Sequence, residues 1–318
     1  MTKLAAYALL TGPLVLGTGN AVCQDYPNKL IRIVTSEPGT ANDMVSRLLA
    51  DSLPASMGQP VIVDNRNLAI APAFTAKAPP DGYTVLFHGP PVWILPLLRS
   101  TATWDAARDL APITLATMTP NILAVHPSVP AKSVSELISL AKGRPGELNF
   151  ASAGPGSSNH LAGELFKFMT AINVVHVPYK GAGAALTGLV GGQVHFMLPT
   201  AGSGMPHVKS GRLRALAVTS ARASALAAGL PTVAASGVPG YESTAMLGLF
   251  APAKTPVAAI ARLNREVASI LNKAEMKERL LGTGLEVVAG SPEDFGAAVK
   301  LEILRLGKVI RESRIRED

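Results

Sequence analysis

The sequence predicts an α/β protein of two α/β lobes, the first with a parallel sheet. Three observations carry that expectation. At 318 residues, with 48% hydrophobic and 16% charged residues, the chain is long for one domain and apolar enough to bury a sizeable core. Strand–helix–strand phrases recur in both halves, the pattern of α/β lobes, and in the first they suggest a parallel sheet. Two extended apolar segments, "PNILAVHPSV" and "MLGLFAPAKTP", each end in a Pro-rich turn before a helix, as a chain that crosses between lobes twice requires.

In chain order, "KLIRIVTS" is rich in β-branched residues and alternates as a strand does. "EPGTAND" breaks it, and Val45, Leu48 and Leu49 then fall at helical spacing. "QPVIVDN" and "GYTVLFHG" are the next strands. In "KSVSELISLAK", Ser133 and Glu136 form a capping box ahead of the apolar face Val134, Leu137, Ile138 and Ala141. Strand "ELNFAS", loop "AGPGSSN" and helix "HLAGELFKFM" follow, with Ser158 as the expected cap and His160 in the first turn. Strand "NVVHVPY" leads through "KGAG" to helix "AALTGLV", and strands "QVHFML" and "RLRALAVTS" complete the second lobe. In the next helix Thr255 is the expected cap and Pro256 the first helical residue. Ser291-Pro292 opens the last helix, whose Phe295, Val299, Ile303, Leu306 and Ile310 are placed to pack on the first lobe.

The N-terminus reads as an export signal: a short basic start at Lys3, an apolar run from Leu4 to Gly19 interrupted by Pro13, and small residues before Gln24. Cys23 is the only cysteine, which excludes a disulfide or thiol chemistry within the mature chain. Val22 before it argues against a lipid anchor. The formal charge of +7 is spread among acidic residues, and aromatics are scarce at 5%. A nucleic-acid surface is therefore not expected.

Candidate chemistry is thin. "GAGAAL" supplies two glycines of a dinucleotide fingerprint, but Leu186 stands at the third and no acidic residue follows about twenty residues on. No phosphate-loop Gly-Lys-Ser/Thr, no G-x-S-x-G elbow and no metal-binding histidine spacing occurs. No cofactor or metal is expected. What recurs is one loop design, a strand end, a Gly/Pro/Ser turn and a helix start, in "SEPGTAND", "AGPGSSNH" and "YKGAGAAL". Helix N-termini offer unpaired N–H groups and a positive dipole end, suited to a carboxylate.

A run of phrases in order, among them "YPNKLIRIV", "GQPVIVDNR", "AKAPPDGYTVL", "VHPSVPAKSVSELISLAK", "LNFASAGPGSSNHLAGELFK", "VHVPYKGAGAALTGLVGGQV" and "LPTVAASGVPGYE", resembles the Bug family of periplasmic solute-binding proteins. These are the receptors of tripartite tricarboxylate transporters. The resemblance implies a type II periplasmic-binding-protein fold with the ligand cleft between the lobes. Residues 1–23 would be the signal peptide, 24–124 with 225–318 the first lobe, and 125–224 the second. It further implies a small carboxylate ligand, a monomer, no enzymatic activity, and membrane components of a transporter as partners. A receptor feeding a sensor, or a hydrolytic enzyme, are the alternatives. Carried over position by position, the site would draw on Ser36, Glu37, Pro38, Gly39, Thr40, His88, Gly89, Ala153, Gly154, Ser157, Ser158, Tyr179, Lys180, Gly181, Ala182 and Thr200.

The chain departs from the family pattern where the ligand would sit. Thr40 replaces a second glycine in the first loop, and Glu37 adds a charge there. His88-Gly89 replaces a glycine and a hydroxyl residue, and Pro199-Thr200 replaces an acidic or amide pair. A carboxylate at position 37 would repel a dianion, so the expected ligand is a monocarboxylate, a zwitterion such as an amino acid, or a neutral molecule.

Overall fold

The structure is a computed structural model that describes residues 26–154, 156–312 and 315. The expected signal peptide, with Cys23, lies outside the described residues. From the N-terminal side come β1 (Ile31–Thr35), α1 (Ala41–Ser52), α2 (Pro54–Met57), β2 (Val61–Asn65), α3 (Ile70–Ala76), β3 (Thr84–His88), α4 (Pro91–Leu98) and α5 (Ala106–Asp109). The middle of the chain forms β4 (Leu110–Pro120), β5 (Ile122–Val125), α6 (Val134–Gly143), β6 (Asn149–Ser152), α7 (Ser158–Thr170), β7 (Val175–Pro178), α8 (Ala182–Val190), β8 (Phe196–Met197), α9 (Ala201–Lys209) and β9 (Arg214–Val218). It closes with β10 (Thr244–Pro252), α10 (Val257–Leu271), α11 (Ala274–Gly282), β11 (Glu286–Val287) and α12 (Pro292–Glu312).

The described strands make two sheets, ordered β11-β4-β10-β3-β1-β2 and β7-β6-β8-β5-β9. Neither is wholly parallel, which for the first sheet corrects the expectation. In the first, β1 runs parallel to β2 and β3, while β10 is antiparallel to β3 and β4. In the second, β6 runs parallel to β7 and β8, while β5 is antiparallel to β8 and β9. Helical crossovers produce the parallel pairs, and the strands that enter each lobe from a crossing, β5 and β10, run against them. The first crossing is direct, from β4 through Asn121 into β5. The return runs from β9 over residues 219–243 into β10, and Val233, Val238 and Tyr241 on that segment pack in the core of the second sheet.

Strand alternation sends neighbouring side chains to opposite faces. On the first sheet, Ile31, Ile33 and Phe87 meet Val45 and Leu49 of α1 and Leu263 and Val267 of α10. Val34 and Leu86 point the other way, toward Trp93 of α4 and Phe295 and Val299 of α12. On the second sheet, Phe150 and Phe196 meet α6 and α7, while Ala151 and Met197 meet Ala185 and Leu189 of α8. Each such fully buried large side chain contributes roughly 1.5–3 kcal/mol. The last helix packs on the first lobe as its spacing predicts, but it also touches α7 and places Val309 in the second core. Thus α12 spans both units.

Two caps differ from expectation. Ser157 is the N-cap of α7, accepting from the His160 N–H at 3.4 Å, and Ser158 is its first helical residue. Pro256 is the N-cap of α10, and Thr255 donates its hydroxyl back to the Pro252 carbonyl. Ser133 caps α6 as expected, accepting from the Glu136 N–H at 3.2 Å.

Candidate functional site

Strand direction fixes where the candidate loops lie. β4 leaves the first sheet at Pro120 for the crossing, and β10 is antiparallel to both β4 and β3. Hence β3, and β1 parallel to it, also aim their carboxyl ends at the second lobe. In that lobe β5 starts at the crossing, and the Ile122 N–H donates to the Pro199 carbonyl just past β8. β6 and β7 share the direction of β8. The carboxyl ends of the parallel strands in both sheets therefore converge on the crossing, the position at which open α/β sheets bind ligands.

The first jaw is the turn from β1 into α1. Thr40 caps the helix, accepting from the Asp43 N–H at 3.2 Å and lying 2.9 Å from Ser36 Oγ. Gly39 turns with φ +80°, and its N–H donates to Asp43 Oδ2 at 2.9 Å. Buried Ser36 accepts from Asn42 Nδ2 at 3.1 Å through its hydroxyl and from Asn65 Nδ2 at 2.7 Å through its carbonyl. Burial alone would raise the Asp43 pKa, but hydrogen bonds from Asn65 and Gly39, with Arg47 3.0 Å away, hold it below the usual carboxylate range. Pro38 and Gly39 are exposed at the tip.

Glu37 is half-buried, and its Oε1 accepts the Leu68 N–H at 2.9 Å. The carboxylate is thus tied to the segment ahead of α3. His88, at the end of β3, is fully buried. Its Nδ1 accepts the Gly89 N–H at 2.9 Å, which puts the neutral ring's proton on Nε2. That Nε2 is buried and has no partner among the described residues. Burial lowers the His88 pKa to about 4, against the opposing charge of Glu37. A Cβ on Gly89 would stand 2.7 Å from Leu247 Cδ2 and 3.1 Å from the Met246 carbonyl oxygen, so a larger residue there would have to shift the Leu247 side chain.

The second jaw comprises two loops tied together. The Tyr179 N–H donates to the Ser152 carbonyl at 2.9 Å, and the Gly181 N–H to the Ala153 carbonyl at 3.3 Å. The N–H groups of Ala153, Gly154, Gly156 and Ser157 are all engaged by acceptors of their own loop or of α7. Those of Ser158 and Asn159, which open α7, have no acceptor among the described residues. Gly181, at φ +102°, is the N-cap of α8, which has no side-chain cap. The N–H groups of Ala182, Gly183 and Ala184 likewise lack an acceptor among the described residues.

The remaining candidates divide. The Tyr179 ring lies over Gly188 and its hydroxyl donates to Gln193 at 3.3 Å, so its side chain runs along α8 rather than across its start. Lys180 is exposed and makes no ion pair among the described residues. Thr200 opens α9, 2.8 Å from Ser203 Oγ, and forms a bridge with Asn121 at the crossing. Sequence reasoning missed the groups that shape these loops: Asn42, Asn65, Asn159, His160 and His176. An amide or imidazole one to three residues into a helix was the available signal for three of them. No group of three or more His, Cys, Asp or Glu among the described residues could hold a metal ion.

Residues 45–315 match the family described as the tripartite tricarboxylate transporter family receptor, TctC. The chain is 34% identical to Protein BugT of Bordetella pertussis, over 98% of each chain. Among solved structures it is similar to Rpa4515 of R. palustris with adipate, at 36% identity and a TM-score of 0.76, covering 92% of this chain and 99% of that one. MatC from Rhodopseudomonas palustris with bound malate matches at 28% identity and a TM-score of 0.72, covering 90% and 100%. These are receptors rather than enzymes, with the two-lobed fold found here. The chain belongs to the TctC family of tripartite tricarboxylate transporter receptors.

Proposed function

We propose that the chain is an exported, periplasmic, monomeric binding protein. It captures a small carboxylate-bearing metabolite between its lobes and presents it to the membrane components of a tripartite tricarboxylate-type transporter. The observation that carries the reading is the convergence of helix N-termini on the crossing, with N–H groups at Ser158, Asn159 and Ala182 to Ala184 that no described residue accepts. Such groups suit an anion. Ser36, Glu37, Thr40, His88 and Thr200 complete the site, with Pro38, Gly39, Gly89, Ala153, Gly154, Ser157, Gly181 and the backbones of Tyr179 and Lys180 shaping its rim. Sheet membership supports drawing the second lobe from Ile122 to Ser243, a wider span than 125–224. Ligand binding would shift an open–closed equilibrium that the membrane partner reads.

Glu37 narrows the ligand class. The structures of Rpa4515 and MatC were solved with dicarboxylates, adipate and malate. Here a carboxylate tied to the Leu68 N–H borders the first jaw. At 4 Å and an effective dielectric near 20, two like charges repel by about 4 kcal/mol. The preferred ligand is therefore a monocarboxylate, a zwitterion whose ammonium meets Glu37, or a neutral molecule. Native mass spectrometry of the purified protein, followed by calorimetry, tests both levels. Retention or tight binding of a monocarboxylate or amino acid is expected, and Glu37→Gln should then improve binding of adipate. Adipate bound tightly and equally by both forms would remove Glu37 as a selector. No binding of any carboxylate would remove the carboxylate-receptor reading and leave only a neutral ligand.

A further inference from the structure

The loop between β6 and α7 turns through two glycines of positive φ, Gly154 at +119° and Gly156 at +75°. A glycine-rich loop has many accessible shapes, and something must select one. Side chains do so here. Asn159 Oδ1 accepts the Ala153 N–H at 3.0 Å and the Ser157 hydroxyl at 2.8 Å. Ser152 Oγ accepts the Gly154 N–H at 3.1 Å, and His160 Nδ1 accepts the Gly156 N–H at 3.1 Å. His176 lies face to face on His160, ring centroids 4.1 Å apart, with its Nε2 2.6 Å from Ser152 Oγ. Its other face stacks on Phe150 at 4.9 Å. A pile of three rings thus runs from the core to the loop, and its two imidazoles hold Gly156 directly and Gly154 through Ser152.

We propose that His160 and His176 are positioning residues that lock Gly154 and Gly156 ahead of α7 and so fix where the start of α7 meets a ligand. The consequence for binding rests on the ligand site proposed above, whereas the lock is a property of the ligand-free chain. His160 serves through an unprotonated Nδ1, and an imidazolium, with donors only, would set N–H against N–H at Gly156. The charged groups facing the pair are Lys167 of α7, paired with Glu164 at 2.8 Å, and the two rings themselves. Burial foremost, then the neighbouring ring and Lys167, lower the His160 pKa to about 3. Burial and then Lys167 lower that of His176 to about 4. The lock is therefore closed at neutral pH and loosens only in acid.

Amide hydrogen exchange of the ligand-free protein, resolved at Gly154 and Gly156 by NMR, tests the lock. His160→Phe keeps a ring on His176 but removes the acceptor. His160→Asn keeps an acceptor close to the Nδ1 position and cannot be protonated. Gly156 should exchange roughly tenfold faster in H160F and near the wild-type rate in H160N. His176→Phe, which preserves stacking, should speed exchange at Gly154 and provides a second route where H160F folds poorly. On acidification below about pH 3, where His160 takes up its proton, wild type should lose protection at Gly156 while H160N keeps it. Unchanged exchange in both phenylalanine variants, or equally fast exchange in H160F and H160N, overturns the lock. Calorimetry with adipate, malate, benzoate and alanine then reads binding. The probe that wild type binds should bind several-fold weaker to H160F and recover in H160N, and an unchanged affinity overturns the positioning role. Wild type binding none of the four counts against the carboxylate-site reading, with the exchange result still deciding the lock.

Discussion

A carboxyl group at position 302 lies almost wholly inside the protein, on the face of α12 turned toward Trp93. Its Oε2 accepts the Trp93 indole N–H at 2.7 Å. Burial, partly offset by that bond and by Arg305, raises its pKa to about 7. A carboxyl group raised in the folded state stabilises fully below its unfolded pKa near 4.5 and progressively less as pH rises through 7. That shift corresponds to about 3 kcal/mol. Glu302→Gln keeps an acceptor for the indole and has no proton to lose. Denaturant titrations between pH 5 and 8.5 should therefore show the stability of wild type relative to the variant falling as pH rises, the contribution of the buried neutral histidines being common to both. A difference between wild type and variant that does not fall over that range would mean that water or Arg305 stabilises the charged form.

Residue-scale chemistry was the part least legible in the sequence. The loop phrases placed helix starts after "SEPGT", "AGPGS" and "YKG", where α1, α7 and α8 begin, because such turns are a local signal. The cap of α7, however, is Ser157 rather than the expected Ser158. Nothing local announced that Asn65, from another strand, would donate to both Ser36 and Asp43, or that His176 would stack on His160. Those contacts depend on register, which periodicity alone does not supply.

Elements were far more legible, since burial imposes period two on strands and 3.6 on helices. The apolar positions of α1, α6 and α12 read from spacing are largely the buried ones. Sheet sense was not legible, because an antiparallel crossing strand buried on both faces carries the same apolar run as a parallel one. Helix α7 shows what spacing hides. Gly163 sits where the helix crosses the Phe150 ring, and a Cβ there would collide with that ring. Phe150 also supports His176 and Phe196 by stacking. Gly163→Ala must displace either the helix or the ring, with an overpacking cost of about 1–3 kcal/mol. Thermal unfolding should report that loss, even though alanine has the higher helix propensity. A neutral or stabilised variant would show that the α7–β6 contact has slack. Exchange at Gly154 and Gly156 should also rise, since the displaced ring carries the imidazole pile.

At the scale of the whole molecule, the question is what sets the angle between the two sheets. Asn121 binds the crossing from several sides: its Nδ2 donates to the Leu198 carbonyl at 2.7 Å, and its N–H to Thr219 Oγ1 at 2.7 Å. Those bonds lie at the crossing and persist whichever way a lobe turns about it. The contact between Gly202, at the start of α9, and Gly284, ahead of β11, instead joins the second sheet's surroundings to the first's. A Cβ on Gly202 would stand 3.0 Å from the Gly284 Cα and 3.5 Å from the Thr283 carbonyl oxygen. Backbone cannot swing aside as a side chain does, so Gly202→Ala should separate the lobes at this point. Gly204 supplies the control. Its Cβ would meet Ile122 and Pro199 at 2.8 and 2.9 Å, both in its own lobe. Both alanines should lower stability by about 1–3 kcal/mol. Only Gly202→Ala should alter the interlobe distance measured between spin labels on the two lobes, and with it the affinity for any ligand that closes them. Identical distance distributions for the two variants would mean that the Gly202–Gly284 contact follows the lobe angle without setting it.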